Sequence, residues 1–324
     1  MKERQIKVWP ETIHYLPSVS PFQRLAGQEY DIRLDFSGCR QITSTGLTVL
    51  LLRLLKLLHG GVPQRSWETD NTDCNPVFET ALKLGFFNHL NSYCTNASLL
   101  APETKGTGPF QTTEHDFLYG RKVTSFPILR LDFTNQKSVR RLAMKAFKKD
   151  LLKYLLKLES SYRIHANQLA AVFIEMAKNS ADHTVGDAFF GMDIIHIPEK
   201  NSIELHFVLG DLGNGIKQHI QDHLPSDLKG KRGKHWSHYE SYYLALKNGY
   251  TSTPERDTNK GLGMTIILEG AKGVNMFLSV FDANSRGILS SLKDTTHEQL
   301  RRQFITFTKD KVFYYYGSVK SEAL

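Results

Sequence analysis

The second half of the chain is predicted to contain a helix followed by two strands. Polar or glycine-rich motifs lie on this helix, directly after the second strand and at the start of a later helix. Residues 165–183 have the apolar spacing of an amphipathic helix, and residues 190–197 and 203–209 have the composition of paired strands. Four apolar residues define the buried side of the helix: Leu169, Val172, Phe173 and Met176. This order predicts a mixed α/β region that places each motif on a helix face or at the end of an element.

Length and composition indicate a globular protein of two domains. The chain has 324 residues, of which 40% are hydrophobic and 23% charged, so each domain is large enough to bury its own core. The first residues lack the apolar region of a signal peptide, and the most apolar run, 47–58, contains Arg53 and Lys56. The three cysteines show no metal-ligand spacing. We therefore expect a cytoplasmic protein with reduced thiols, no membrane span and no structural zinc.

The formal net charge of +8 does not by itself predict a nucleic-acid partner. Basic surface attracts phosphate electrostatically, but a pocket for a phosphorylated ligand also needs cations. We therefore do not expect nucleic acid as the partner.

The N-terminal segment predicts a small α/β domain. Residues 30–36 alternate apolar and polar side chains, as a half-buried strand does. Residues 44–46 can start and cap a helix over 47–58 that is apolar on almost every face and should be buried. A second helix is expected over 75–86, with Pro76 in its first turn.

Residues 102–118 mix glycine, proline and polar side chains and are expected to form a linker or long loop. A strand is predicted over 126–133, and the helical stripe over 139–158 has a strongly basic opposite face. That face is either solvated or a docking or dimerisation surface. The predicted domains are therefore 1–118 and 119–324.

Three polar residues of the predicted helix 165–183 should share one face. At 100° per residue, Glu175, Asn179 and Asp182 fall within about 60° of one another, away from the apolar side. Two carboxylates and an amide on one surface can polarise a water molecule and bind Mg²⁺ through oxygen. The alternative is an ordinary polar helix face.

A second motif, Asp211-Leu-Gly213-Asn-Gly215-Ile216, comes directly after the strand 203–209. A carboxylate at a strand end can accept a hydrogen bond from an amino group, and the glycines let the backbone curve closely around a ligand.

The third motif, Lys260-Gly261-Leu262-Gly263-Met264, opens a predicted apolar helix. Its glycines and the helix N-terminus would present backbone N–H groups to anionic oxygens. The segment before it contains a basic run, 229–235, a helical stretch, 239–248, and the pair Thr251-Ser252. The basic run could contact phosphate or be an ordinary solvated loop.

Together the three motifs resemble the N box and the two glycine boxes of the GHKL ATPases, over roughly residues 126–310. The resemblance implies a Bergerat-type α/β sandwich with helices on one face of a mixed sheet, binding ATP and Mg²⁺. Glu175 is then the candidate general base, Asn179 the Mg²⁺ ligand and Asp182 a supporting residue, while Asp211 contacts adenine. The other nucleotide-binding candidates are Gly213, Gly215, Ile216, Thr251, Ser252, Lys260, Gly261, Leu262, Gly263 and Met264.

Residues 34–47 resemble the STAS domain of anti-anti-sigma factors, with a strand, a short loop and a leucine-rich helix. In that family the serine at the position of Ser44 can be phosphorylated, whereas the preceding aspartate is here Thr43. Ser44 is therefore either a candidate phosphoacceptor or only a helix-capping hydroxyl.

These resemblances imply an ATP–Mg²⁺-binding regulatory protein. We expect a slow ATPase whose nucleotide-dependent lid, within 216–260, controls contact with a protein partner. An anti-sigma-type serine kinase and a non-catalytic nucleotide-gated module stay open, as does a homodimer. The chain lacks the P-loop pattern and the protein-kinase motifs.

Overall fold

The structure is a computed structural model, and the fold is described for the parts of the chain whose placement is defined. These residues are 4–7, 12–13, 32–36, 39, 41–58, 67–69, 76–93, 112–117, 121–133, 137–156, 166–184, 186–222, 237–246, 263–282, 285–290, 296–306 and 312–322. They form a mixed α/β protein, which confirms the predicted α/β class, while the STAS-like and Bergerat-type architecture stays a prediction. Among them, no helix combines the length and the apolar character that crossing a membrane requires.

Two compact units make up the chain. Unit 1 comprises residues 1–130 and 189–208, and unit 2 comprises residues 131–188 and 209–324. Both units are discontinuous in sequence. The domain boundary predicted at 118/119 stays a prediction.

Unit 1 begins with short parallel strands and a buried helix. Its first elements are β1 (Arg4–Lys7), β2 (Thr12–Ile13), β3 (Ile32–Asp35), β4 (Gln41–Ile42), α1 (Ser44–Leu58), β5 (Trp67–Thr69), α2 (Pro76–Lys83) and α3 (Phe86–Asn91). Strand β3 pairs in parallel with both β1 and β5, and β2 pairs in parallel with β4. Helix α1 is buried along 44–55 and packs against α3. The predicted strand at 30–36 and the buried helix after it are confirmed.

The predicted helix 75–86 is two helices rather than one. Gly85 has φ 83° and stands between α2 and α3. This left-handed conformation suits glycine and cannot continue an α-helix. Phe86 and Phe87 start the second helix and pack edge to face, with ring centroids 5.1 Å apart.

Most of the remaining strands belong to one sheet. The elements that follow are β6 (Thr113–Phe117), β7 (Arg121–Ser125), β8 (Leu129–Phe133), α4 (Lys137–Leu156), α5 (Ala166–His183), β9 (Gly186–Ile197), β10 (Ser202–Asp211), α6 (Gly215–Asp222), α7 (His238–Ala245), α8 (Gly263–Gly273), β11 (Phe277–Asp282), β12 (Ser285–Ile288), α9 (His297–Gln303), β13 (Phe304–Thr306) and β14 (Phe313–Glu322). Within the described residues the sheet has nine strands, in the order β13-β12-β11-β14-β10-β9-β7-β6, with β8 pairing with β9.

One part of the predicted linker 102–118 is a strand. Residues Thr113–Phe117 form β6 and pair antiparallel with β7, with His115 opposite Val123. The prediction of a loop was wrong for these residues, because hydrogen bonding to β7 stabilises an extended backbone that the polar side chains do not themselves indicate. The rest of the predicted linker, apart from residue 112, lies outside the described residues.

Candidate functional site

Helix α5 separates its apolar and polar residues as the sequence predicts. Leu169, Val172, Phe173 and Met176 are buried, whereas Glu175, Asn179 and Asp182 are partly exposed. The buried side packs against α8. At Gly270 of α8, an added Cβ would lie 2.5 Å from Cγ2 of Val172. A glycine at this crossing therefore lets the two helices come close together.

Glu175 forms an ion pair with Lys178, three residues further along α5. The Glu175 side chain is 17% exposed, whereas Lys178 is 52% exposed. The Glu175 carboxylate is thus partly accessible to solvent, and so is the Lys178 ammonium group that pairs with it. A general base must be reachable by the molecule whose proton it accepts, and this position meets that requirement.

The first and third motifs meet at Asn179. Its Nδ2 atom donates to the sulfur of Met264 at 3.6 Å, and a Cβ added to Gly263 would lie 2.9 Å from its Oδ1 atom. The Tyr315 hydroxyl of β14 also donates to the Met264 sulfur, at 3.5 Å. The structure therefore places the amide of the helix-face motif against the N-terminus of α8.

Asp211 lies at the end of β10 and is 3% exposed. Its Oδ1 atom accepts a hydrogen bond from the Gly213 N–H at 2.8 Å. A Cβ added to Gly213 would lie 2.5 Å from Oγ1 of Thr184 and 2.8 Å from Oδ1 of Asp211. Only glycine fits this turn without displacing a polar side chain.

Gly215, the second glycine of this motif, has φ 82° and begins α6. An added Cβ there would collide with Oδ1 of Asp282, which lies at the end of β11. The next residue, Ile216, packs against the apolar cluster of Ile220 and Leu244. Gly215 is therefore required by the fold whether or not a ligand is bound, and Ile216 has a packing role.

Negative charge and phenol groups lie together around these motifs. Burial raises the pKa of the Tyr315 hydroxyl, the hydrogen bond with Asn179 lowers it, and the charges of Asp211 and Asp282 raise it further. Burial and the charge of Asp282 likewise raise the pKa of Tyr242. Both tyrosines therefore stay protonated at neutral pH and act as hydrogen-bond donors.

Several predicted residues cannot be placed. Thr251, Ser252, Lys260, Gly261 and Leu262 lie outside the described residues, as does the basic run 229–235. Helix α7 confirms most of the helical stretch predicted over 239–248. In the described part of the chain, no group of three or more His, Cys, Asp or Glu side chains could hold a metal ion. Asn179 therefore stays a predicted Mg²⁺ ligand.

Ser44 is fully buried at the start of α1 in unit 1. Its backbone N–H donates to Oδ1 of Asp193 at 2.8 Å, and no partner for its hydroxyl is present among the described residues. Thr43, rather than Ser44, supplies the capping hydroxyl, since its Oγ1 accepts from the Gly46 N–H at 3.1 Å. A kinase would reach Ser44 only after α1 had moved.

Three residues near the motifs were missed by the sequence analysis: Thr184, Asp282 and Tyr315. Asp282 had a readable signal, because it follows an apolar strand in the same way as Asp211 does. Tyr315 lies in a strand rich in aromatic residues, where the sequence does not separate a site residue from a packing residue. Thr184 directly follows the described part of α5 and has no local signal that separates it from a helix-end threonine.

The resemblance to GHKL ATPases is supported by motif residues alone. The chain matches no protein-family model, and comparisons with curated proteins and with solved structures give no match either.

Proposed function

We propose that unit 2 binds ATP with Mg²⁺ in a Bergerat-type site and that the N-terminal part of the chain is a STAS-like α/β domain. The observation that carries the proposal is the contact of Asn179 with Gly263 and Met264, across 85 positions of sequence. The resemblance requires the N box and the second glycine box to face one nucleotide. Packing of α5 against α8 brings these two motifs together as the resemblance requires, and the contact is made by the polar Asn179 and the glycine motif as well as by the buried apolar faces.

The residues around the motifs fit such a ligand. Asp211 is a buried carboxylate that can accept a hydrogen bond from the adenine amino group. Gly213 and Gly263 each leave space beside a polar side chain that any Cβ would fill. Asn179 offers an amide oxygen, a ligand type that suits Mg²⁺. When bound, Mg²⁺ would neutralise phosphate charge, and the residues of this chain would position the nucleotide.

The Asp211→Asn variant is expected to bind ATP about ten- to a hundredfold more weakly than the unaltered protein, because the charged acceptor of the adenine amino group is lost. Asparagine keeps the shape of the side chain and can still accept from the Gly213 N–H. Isothermal titration calorimetry with ATP and Mg²⁺ measures the affinity.

Asp132→Asn is the matched control, since Asp132 also lies in unit 2 but is exposed. It should bind ATP as the unaltered protein does. Equal ATP affinity for Asp211→Asn and Asp132→Asn, with both folded by circular dichroism, contradicts the adenine contact. Failure of the unaltered protein to bind ATP contradicts the proposed function itself.

We further propose that the site hydrolyses ATP slowly and that Glu175 accepts the proton of the attacking water. The Glu175→Gln variant should then retain ATP affinity and lose about a hundredfold or more in hydrolysis rate. Release of inorganic phosphate, followed in parallel with protein-bound phosphate, measures the turnover and shows where the phosphate goes.

The control for this variant is Glu269→Gln. Glu269 on α8 is paired with Lys272 in the same i,i+3 arrangement as Glu175 with Lys178, but it is exposed. Loss of hydrolysis in Glu175→Gln alone supports the assignment. An unchanged hydrolysis rate in Glu175→Gln excludes it and favours a module that signals through binding only.

A further inference from the structure

Asp282 is a buried carboxylate that the three motifs do not include. It ends β11 and is 1% exposed. Burial raises its pKa to about 6, and the charge of Asp211 raises it as well, while the hydrogen bonds from Lys217 and Tyr242 lower it. Burying a carboxylate is costly unless hydrogen bonds compensate for the lost hydration.

Two hydrogen bonds to the Asp282 side chain converge on one oxygen. Its Oδ2 atom accepts from the Lys217 backbone N–H at 3.0 Å and from the Tyr242 hydroxyl at 3.1 Å. Its Oδ1 atom lies against Gly215 and has no hydrogen-bond partner among the described residues. A single carboxylate thus holds the first turn of α6 and the middle of α7.

The two helices that Asp282 joins differ in their relation to the proposed site. Helix α6 starts at Gly215 and so continues directly from the Asp211 motif. Helix α7 contains none of the predicted ligand residues. It begins at a capping box in which the Glu240 carboxylate accepts from the N–H and hydroxyl of Ser237.

Helices α6 and α7 share an apolar cluster as well as the polar link through Asp282. Ile220 and Leu244 form the shared cluster, with Ile216 and Ala245 packed against it. Such a small cluster gives a modest stabilisation compared with the larger core. The polar link through Asp282 adds to this cluster in holding α7 against the start of α6.

We propose that Asp282 is a positioning residue that transmits ligand binding at the Asp211 motif to helix α7. A shift of Gly215–Lys217 on ligand binding would move the Lys217 N–H, which donates a hydrogen bond to Oδ2 of Asp282. The shift would reach α7 because the Tyr242 hydroxyl donates to the same oxygen. Helix α7 would then become more ordered when the motif is occupied. The inference rests on the proposed ATP site, but the link between α6 and α7 can be measured without ATP.

The test compares amide hydrogen exchange of α6 and α7 in the unaltered full chain and in three variants. Tyr242→Phe removes only the hydroxyl that donates to Asp282, and Asp282→Asn removes the charge. Ser279→Ala is the control, because Ser279 lies on the same strand, is buried, and has no partner for its hydroxyl among the described residues. At pH 8 the Asp282 carboxylate is ionised.

Without ATP, Tyr242→Phe should raise exchange about tenfold at the first amides of α6 as well as in α7, since the lost bond is to a charged group. With ATP, the unaltered protein and Ser279→Ala should show slower exchange in α7. Tyr242→Phe should lose this protection while its ATP affinity changes by less than about threefold. Asp282→Asn should lose the protection and also bind ATP more weakly.

Three results overturn parts of the proposal separately. Equal ATP-induced protection of α7 in Tyr242→Phe and the unaltered protein excludes transmission through Asp282. Faster exchange confined to α7, with α6 unchanged, shows that the hydroxyl only stabilises its own helix. Absence of ATP binding by the unaltered protein removes the proposed function, yet the exchange without ATP still decides whether Asp282 couples the two helices.

Discussion

The Asp193→Ala variant is expected to lower the free energy of unfolding by about 4 kcal/mol, the largest effect predicted for this chain. Asp193 is completely buried in unit 1. Its carboxylate accepts from the backbone N–H groups of Ser44 and Thr45, each at 2.8 Å, and from the hydroxyls of Thr45 and Ser125 at 2.6 and 2.5 Å. Removing the carboxylate leaves four buried donors without their acceptor.

The position of Asp193 at the start of α1 adds to this effect. The N-terminus of a helix carries a partial positive charge, and a carboxylate there is stabilising. Gly191, on the same strand, lets α1 approach closely, because a Cβ at that position would lie 2.7 Å from the Ser44 carbonyl oxygen and would collide with Oγ1 of Thr48. The site can therefore not relax easily around a smaller side chain.

Urea denaturation followed by circular dichroism measures the change. Asp193→Asn keeps an acceptor and the side-chain volume and should lose less stability than Asp193→Ala. Asp132→Ala is the control for a simple loss of charge, since Asp132 is exposed. Similar free energies of unfolding for Asp193→Ala and Asp132→Ala would show that the four hydrogen bonds contribute little.

The Gly215→Ala variant is expected to lower the free energy of unfolding by about 3 kcal/mol. At φ 82° a residue with a Cβ is strained by about 1–2 kcal/mol. The new methyl group also collides with Oδ1 of Asp282. That carboxylate cannot turn away without losing its bonds to Lys217 and Tyr242, and bonds to a charged group contribute about 1.5–3 kcal/mol each.

Gly273→Ala is the matched control for Gly215→Ala. A Cβ at Gly273 would meet Gln168 at 3.4 Å, an ordinary contact, and the residue has no left-handed φ. It ends helix α8, where alanine should be neutral or slightly stabilising. The double variant with Gly215→Ala and Asp282→Ala should lose less free energy of unfolding than the sum of the losses in the two single variants. Strict additivity would mean that the collision does not determine the effect.

The sequence predicts best those helices and strands whose own residues show a regular spacing of apolar side chains. The apolar faces of α1 and α5, and the strands β9 and β10, follow from local periodicity, because burying one face is what stabilises such segments. Strand β6 could not be predicted in this way. Its residues are mostly polar, and its extended form depends on hydrogen bonds to β7.

The same distinction holds for the candidate site. The polar face of α5, the strand-end position of Asp211 and the start of α8 at Gly263 are local properties, and the structure shows each of them. The partners of the glycines are not local. Position 215 must be glycine because the Asp282 side chain, 67 residues later in the sequence, lies against it. No sequence pattern around either residue indicates this contact.

The carboxylate of Asp193 also limits how this chain can be divided. Its donors Ser44 and Thr45 lie before residue 118, whereas Asp193 and Ser125 lie after it. A fragment starting at residue 119 would keep the buried acid and lose three of its four hydrogen bonds, and a fragment ending at residue 118 would keep the helix and lose its acceptor. We therefore expect that the two halves, although they resemble separate families, do not fold as separate fragments, and biochemical work on the proposed ATP site should begin with the whole chain.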